Sequence, residues 1–281
     1  MFGSSAPGPF DLRWRMFGIP VRIQLSFWFF CVLIGLHYLQ RQEWVKFFAV
    51  VVAVLLSFLL KELGQVIVGR IFGVRGGIVL YAFGGGAVGD YGSMRRWQRI
   101  LFYAAGPAFS FALYGLAFWA PRVFNFAALG NGNLWRFAWI AQSVMKEINY
   151  LWALLHLLPI YPLDGGMVVR ELCEAVLKRF GTVLSLLISV ACAGGLAVWA
   201  GYVLWGRRAA PWWFGDPLFS LIFDSMLAIQ SLLLLVQILR ERRPSSEPAS
   251  DADSTTPAEK QPEYDSYLPF DGGRPDDIPR R

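Results

Sequence analysis

The chain of 281 residues is short of charge, cysteine and histidine. Charged residues make up 16% of it, against about 25% in soluble domains. Together with a hydrophobic share of 56%, this points to a protein of the lipid bilayer. The three cysteines, Cys31, Cys173 and Cys192, lie in or beside apolar runs and exclude a disulfide framework, so we interpret them as buried apolar residues. Only two histidines are present, His37 and His156.

The sequence contains long apolar runs with little charge. Six of them are candidates for the roughly 20 residues that a membrane-spanning helix needs, at 24–38, 47–68, 100–120, 148–161, 182–205 and 217–239. The run at 148–161 is short, and it spans the bilayer only if the preceding residues belong to the same helix. These runs predict an all-α transmembrane bundle of about six spans.

The distribution of lysine and arginine predicts the orientation. With the N-terminus in the cytoplasm, the inner segments hold fourteen basic residues and the outer segments seven. The positive-inside rule therefore favours both termini in the cytoplasm, and we expect a multi-pass protein of the plasma (inner) membrane. The basic membrane domain suits an anionic inner leaflet and gives no support for nucleic-acid binding.

Composition divides the chain into three parts. Residues 1–14 form a leader that we expect to be loose, and residues 15–243 form the membrane domain. Residues 244–281 contain nine acidic and four basic residues with many Pro and Ser. They offer little to bury, which predicts a disordered acidic tail.

A glycine-rich segment at 78–91 predicts a small β-hairpin inserted among the helices, with Gly84, Gly85 and Gly86 near its turn. Irregular backbone at membrane depth is tolerated only against protein or a water-filled cavity. We therefore expect the hairpin beside the functional site or on the membrane face. The alternative is a flexible glycine loop.

A charged pair lies inside the second apolar run, where charge is costly and indicates function. Lys61 and Gln65 are four residues apart with Glu62 between them, the spacing of His-Glu-x-x-His. In that motif two imidazoles bind zinc and the glutamate activates the metal-bound water. A lysine ammonium has no lone pair and a glutamine amide is a poor zinc ligand. Lys61 either forms an internal ion pair or extends to the membrane surface.

A second group of residues surrounds a proline-rich turn. Pro159 and Pro162 end one helix, and Gly165 and the glycine after it let the backbone turn behind Asp164. Asp164 suits a metal ligand, an ion-pair partner or the N-cap of a helix at 167–180. His156 is interpreted as a hydrogen-bonded packing residue, or as part of an unusual metal site with Asp164 and Glu62.

These segments, in this order, resemble the site-2 proteases, a family of intramembrane zinc metalloproteases. The resemblance covers roughly residues 15–205 and rests on Phe-Gly-Ile-Pro-Val-Arg at 17–22, the segment at 61–65, Ala-Gly-Pro at 105–107 and the segment at 157–166. The last is close to Asn-x-x-Pro-x-x-Pro-Leu-Asp-Gly-Gly, with His156 standing at the asparagine position.

The resemblance implies a role for each matching residue. Glu62 stands at the general-base position and Asp164 at the third zinc-ligand position, while Lys61 and Gln65 stand at the former imidazole positions. Zinc is the family cofactor, and these replacements predict that it is absent or weakly bound here. The glycine hairpin has a family counterpart that positions an extended substrate strand.

We therefore expect a catalytically impaired pseudoprotease that binds single-span membrane segments or a partner protease. Its substrate groove would be formed by Gly84, Gly85, Gly86, Pro159 and Pro162. The alternative is an active intramembrane metalloendopeptidase with altered ligands such as His156 and Asp164. A transporter is a weaker third class, because no inverted repeat is visible in the two halves.

Overall fold

The structure is a computed structural model that describes residues 8, 10–82, 84–123, 132–206 and 217–241. The predicted tail at 244–281 lies outside the described residues. Within them, seven α-helices and four β-strands follow one another along the chain. The helices are α1 (Leu25–Gln40), α2 (Trp44–Ile71), α3 (Arg96–Val123), α4 (Asn133–Leu157), α5 (Asp164–Leu177), α6 (Gly181–Trp205) and α7 (Pro217–Glu241). The strands are β1 (Leu12–Met16), β2 (Ile19–Ile23), β3 (Gly76–Tyr81) and β4 (Gly84–Gly89).

The predicted class, a mainly helical membrane bundle with a small β insertion, is confirmed. Four of the six predicted spans coincide with helices long and apolar enough to cross a membrane: α2, α3, α6 and the part of α7 at Ser220–Arg240. Helix α1 has only 16 residues, which is about 24 Å of rise against a hydrocarbon core of about 30 Å.

Helix α4 shows what becomes of the short run at 148–161. Its 25 residues begin at Asn133 and join that run to the polar stretch before it. The helix is long enough to cross a membrane, but Arg136, Lys146 and Glu147 keep it outside the set of apolar spans. It ends at Leu157, because Pro159 has no N–H to continue the helical hydrogen bonds.

The β insertion is larger than the predicted hairpin. The four strands form one sheet in the order β1-β2-β3-β4, antiparallel except for the parallel pair β2 and β3. Residues 12–14, placed by prediction in a loose leader, belong to β1, so that boundary is wrong. Residues 17–22 form the β1–β2 turn and most of β2.

One face of the sheet packs on the helices and thereby positions the site. Ile19, Val21, Ile23, Ile78 and Leu80 are buried there in the main core, together with residues of α1, α2 and α4. A second core lies between α6 and α7 around Ile160 and Leu163 of the proline-rich turn. The sheet therefore covers α2, while α6 and α7 hold the turn that leads into α5.

Candidate functional site

Helix α2 presents three polar side chains inside the bundle. Lys61, Glu62 and Gln65 are 3%, 0% and 3% exposed. Helix α3 comes very close to α2 here, because a Cβ at Gly64 would overlap the ring of Phe109. The polar face of α2 is thus closed off by protein.

The proline-rich turn brings Asp164 to the same place. Asp164 is the first residue of α5, and the N-cap residue is Leu163, without a side-chain cap hydrogen bond. Of the three roles considered for Asp164, the helix N-cap is therefore wrong. Gly165 is needed for close packing and not for a left-handed turn, since a Cβ there would lie 2.5 Å from the carbonyl oxygen of Leu157.

Two serines fix this turn from outside. The Tyr161 N–H donates to Ser189 Oγ on α6 at 3.0 Å, and Ser231 Oγ on α7 donates to the Tyr161 carbonyl oxygen at 3.1 Å. Both bonds are buried, where an unmade hydrogen bond is costly. The turn that contains Pro159 and Pro162 is therefore held against α6 and α7, directly before Asp164.

Asp164 has three donor groups around its carboxylate. Gln65 Nε2 donates to Oδ1 at 2.8 Å, while His156 Nδ1 lies 2.7 Å and Lys61 Nζ 3.3 Å from Oδ2. His156 is buried and lies within hydrogen-bond distance of Asp164, as its interpretation as a packing residue expects. Burial alone would raise the pKa of the Asp164 carboxyl, but its neighbours, the Lys61 ammonium first among them, hold it below its usual range.

The Lys61 ammonium lies between the two carboxylates. Its Nζ is 2.9 Å from Glu62 Oε1 as well as 3.3 Å from Asp164 Oδ2. The internal ion pair is confirmed, and the alternative in which Lys61 extends to the surface is wrong, because its side chain is only 4% exposed. Glu62 Oε2 is buried and accepts no hydrogen bond from the described residues.

The glycine strand reaches the site through one residue. A Cβ at Gly85 would lie 2.6 Å from Glu62 Cγ and 3.0 Å from Glu62 Oε1, so only glycine lets β4 pack so closely on this side chain. Gly84 lies over Phe58 and Trp152 of the core. Gly86 is on the face of the strand opposite to that of Gly85, beside Tyr81.

The donor set does not fit a zinc ion. A catalytic zinc site uses three protein ligands with lone pairs, whereas the groups that converge on Asp164 include an ammonium and an amide N–H. Within the described ranges, no group of three or more His, Cys, Asp or Glu is placed to hold a metal ion. His37 lies near the end of α1 beside Tyr38, apart from the site.

Two further contacts support the site and were not predicted. Arg99 of α3 forms a double hydrogen bond with Glu171 of α5, at 2.6 and 2.8 Å, and so ties the helix of Asp164 to α3. Asn149 of α4 donates to Ser57 at 2.8 Å, one turn before Lys61 on α2. Ser57 and Asn149 are polar residues within apolar helices, and this pattern could have predicted a hydrogen bond between helices.

The structure is similar to the site-2 protease from Methanocaldococcus jannaschii, with 20% sequence identity and a TM-score of 0.49. The match covers 88% of this chain and 100% of that chain. No protein-family model matches the chain, and no curated protein matches it.

Proposed function

We propose that this chain is a site-2-protease-like pseudoprotease that holds extended membrane segments without cutting them. The observation that carries the proposal is the Lys61 ammonium, which lies within 3.3 Å of both carboxylates. In the resembled family a zinc ion joins these groups, and here a donor without lone pairs does so. On this proposal the chain keeps the fold of the family, while an ammonium stands in place of the metal ion that would activate water.

The proposed binding surface is the free edge of β4. This strand is the last in the sheet, so one of its edges has no strand beside it in the described fold. An extended segment can add there through backbone hydrogen bonds. A transmembrane helix must first unwind, so segments that contain Gly or Pro should bind best.

The occupant we propose is a single-span membrane segment, either free or belonging to a partner protease. The protein would lie in the plasma (inner) membrane with both termini in the cytoplasm, as the basic residues favour. One face of the sheet packs on the helices, and α2, on which it lies, is an apolar span. The edge of β4 therefore lies beside the membrane helices. A membrane segment could reach it from the bilayer without passing through water.

A photo-crosslinker at Gly86 tests the binding proposal. This residue alternates with Gly85, the residue of β4 that contacts Glu62, so a probe at Gly86 should not disturb Glu62. We expect it to trap intact single-span membrane proteins more often than the same probe at Leu187, a half-exposed residue of α6. Equal trapping at both positions, or cleaved fragments that depend on Glu62, would contradict the proposal.

Restoring the imidazoles tests the loss of zinc. The purified chain should contain no stoichiometric zinc by elemental analysis, and the double variant Lys61→His, Gln65→His should gain about one zinc per chain. Adding Asp164→Ala should remove that zinc. Stoichiometric zinc in the unchanged chain, lost on His156→Ala, would instead support an active peptidase with His156 and Asp164 as ligands.

A further inference from the structure

Three segments meet at one end of the bundle. Arg70, in the last turn of α2, donates hydrogen bonds to the carbonyl oxygens of Phe17 (3.3 Å) and Gly18 (2.9 Å) in the β1–β2 turn. Phe72, just after α2, packs edge-on against Trp97 of α3 with ring centroids 5.4 Å apart. We call the outward side chains of this end the rim: Arg15, Phe17, Arg70, Ile71, Arg95, Arg96 and Trp97.

The rim exposes large apolar side chains. Phe17, Ile71 and Trp97 are 84%, 73% and 52% exposed. Phe17 also has a positive φ of 51°, in the left-handed region that is disfavoured for a residue with a Cβ. A turn of this kind usually holds Asn or Gly. An aromatic residue at its tip is therefore better explained by a contact outside the chain than by the turn itself.

The rim lies at the depth of the lipid headgroups. Helix α2 has 28 residues and is about 42 Å long, more than the roughly 30 Å of hydrocarbon but close to the full bilayer with its headgroups. Its last turn therefore lies in the interfacial layer. Because Arg70 binds the β1–β2 turn directly, the tip with Phe17 lies at that same level.

The charge of the rim is positive. The acceptors of Arg70 are neutral carbonyl oxygens, so these bonds leave its charge uncompensated. Two acids, Asp11 and Glu171, lie closest to arginines outside the rim, at 2.6 Å from Arg22 and 2.6 Å from Arg99. Arg96 is a more distant partner of Glu171, at 3.6 Å, and remains 45% exposed.

We infer that the rim is a binding surface for anionic phospholipid. Phe17 and Trp97 would lie at the boundary between headgroups and acyl chains, the usual place of interfacial aromatic residues. The arginines would bind the lipid phosphates, and each one near an anionic surface strengthens binding by roughly five-fold. This surface is independent of the β4 edge and would anchor the sheet against the membrane.

Depth measurement with a spin label tests the position of the tip. The full chain, with Cys31, Cys173 and Cys192 replaced by Ala, is labelled at Phe17→Cys in phosphatidylcholine and phosphatidylglycerol nanodiscs. We expect the label to be reached by oxygen and shielded from a water-soluble nickel reagent, as at Ile71→Cys. A label at Gln42→Cys, in the exposed α1–α2 connection, is the aqueous reference. Equal nickel access at positions 17 and 42 would overturn the inference.

Lipid selectivity tests the charge. Native mass spectrometry should show phosphatidylglycerol bound in preference to phosphatidylcholine. The double variant Arg70→Gln, Arg96→Gln should weaken that preference by more than ten-fold, because each arginine contributes roughly five-fold. The matched control is Arg122→Gln at the other end of α3, where the exposed guanidinium lies over Phe118 and Trp119. Excess glycerol phosphate should not displace the lipid. A loss no larger than that of the control, or displacement by the free phosphate, would show that the rim does not select lipid.

Discussion

The buried lysine makes the most direct prediction. Lys61→Met keeps an unbranched side chain of similar length in α2 but removes the ammonium that lies between Glu62 and Asp164. Two carboxylates then remain in a site that is nearly closed to water, with less positive charge to stabilise them. We expect a clear loss of folding stability without a change in the membrane bundle.

The distances set the size of the effect. At an effective dielectric constant of about 20, charges 2.9 and 3.3 Å apart attract by roughly 5–6 kcal/mol each. Burial of the ammonium and the carboxylates costs several kcal/mol per ion and offsets much of this attraction. Removing one partner of a buried pair typically lowers stability by about 3–5 kcal/mol, and that is the loss we expect for Lys61→Met.

A double-mutant cycle isolates the pair. Asp164→Asn keeps an oxygen that can accept from Gln65 but removes one negative charge, so with Lys61→Met it should recover about 1–3 kcal/mol. The measurement is reversible unfolding in mixed detergent, followed by circular dichroism. An interaction energy near zero would refute the ion pair as a source of stability.

The matched control lies on the same helix. Lys46 Nζ is 2.6 Å from Glu43 Oε1, closer than either contact of Lys61, but both side chains are about one-third exposed. Water screens this pair, so Lys46→Met should change stability much less than Lys61→Met. If the two substitutions cost the same, burial is not what makes the Lys61 pair strong.

Two further substitutions test how the site is held. Gly106→Ala should lower the stability of the fold by about 1–3 kcal/mol, because the added methyl group would overlap the Asp164 carboxylate. Gly115→Ala on the same helix is the control and should be neutral or stabilising, because a Cβ there meets open space. Thermal unfolding of the two variants tests this difference. Arg99→Lys should cost about 1–2 kcal/mol because lysine cannot reproduce the double hydrogen bond to Glu171. If this variant unfolds in detergent at the same point as the unchanged chain, a positive charge alone is enough to hold Glu171.

The helices could be predicted from the sequence because each apolar run carries its own signal. The runs at 47–68, 100–120 and 182–205 lie within α2, α3 and α6, which extend further at one end or both because interfacial residues continue a helix. The strands at 12–16 and 19–23 were also visible as alternation, with Trp14 and Met16 facing Val21 and Ile19 across a two-residue turn. Overlooking this pattern left half of the sheet unpredicted.

The contacts of the site could be predicted only in part. The resemblance implied that Glu62 and Asp164 lie together, and an internal ion pair was one of the two alternatives for Lys61. Nothing in the spacing of His156 and Asp164, eight residues apart across a proline-rich turn, predicts that their side chains meet at 2.7 Å. That distance depends on how Ser189 and Ser231 hold the turn, which is a matter of tertiary packing.

The side chains at positions 61 and 65 act together with the two carboxylates beside them. Apolar side chains at these positions would leave Glu62 and Asp164 buried with fewer partners. Lys61 donates to Glu62 and Gln65 donates to Asp164, so each buried carboxylate keeps a hydrogen-bond donor. Gly85 of β4 packs directly on the Glu62 side chain. The position of Glu62 therefore also determines where β4 lies against α2. The ion pair therefore preserves the edge at which we propose a membrane segment binds, and a change that frees Glu62 should disturb binding as well as stability.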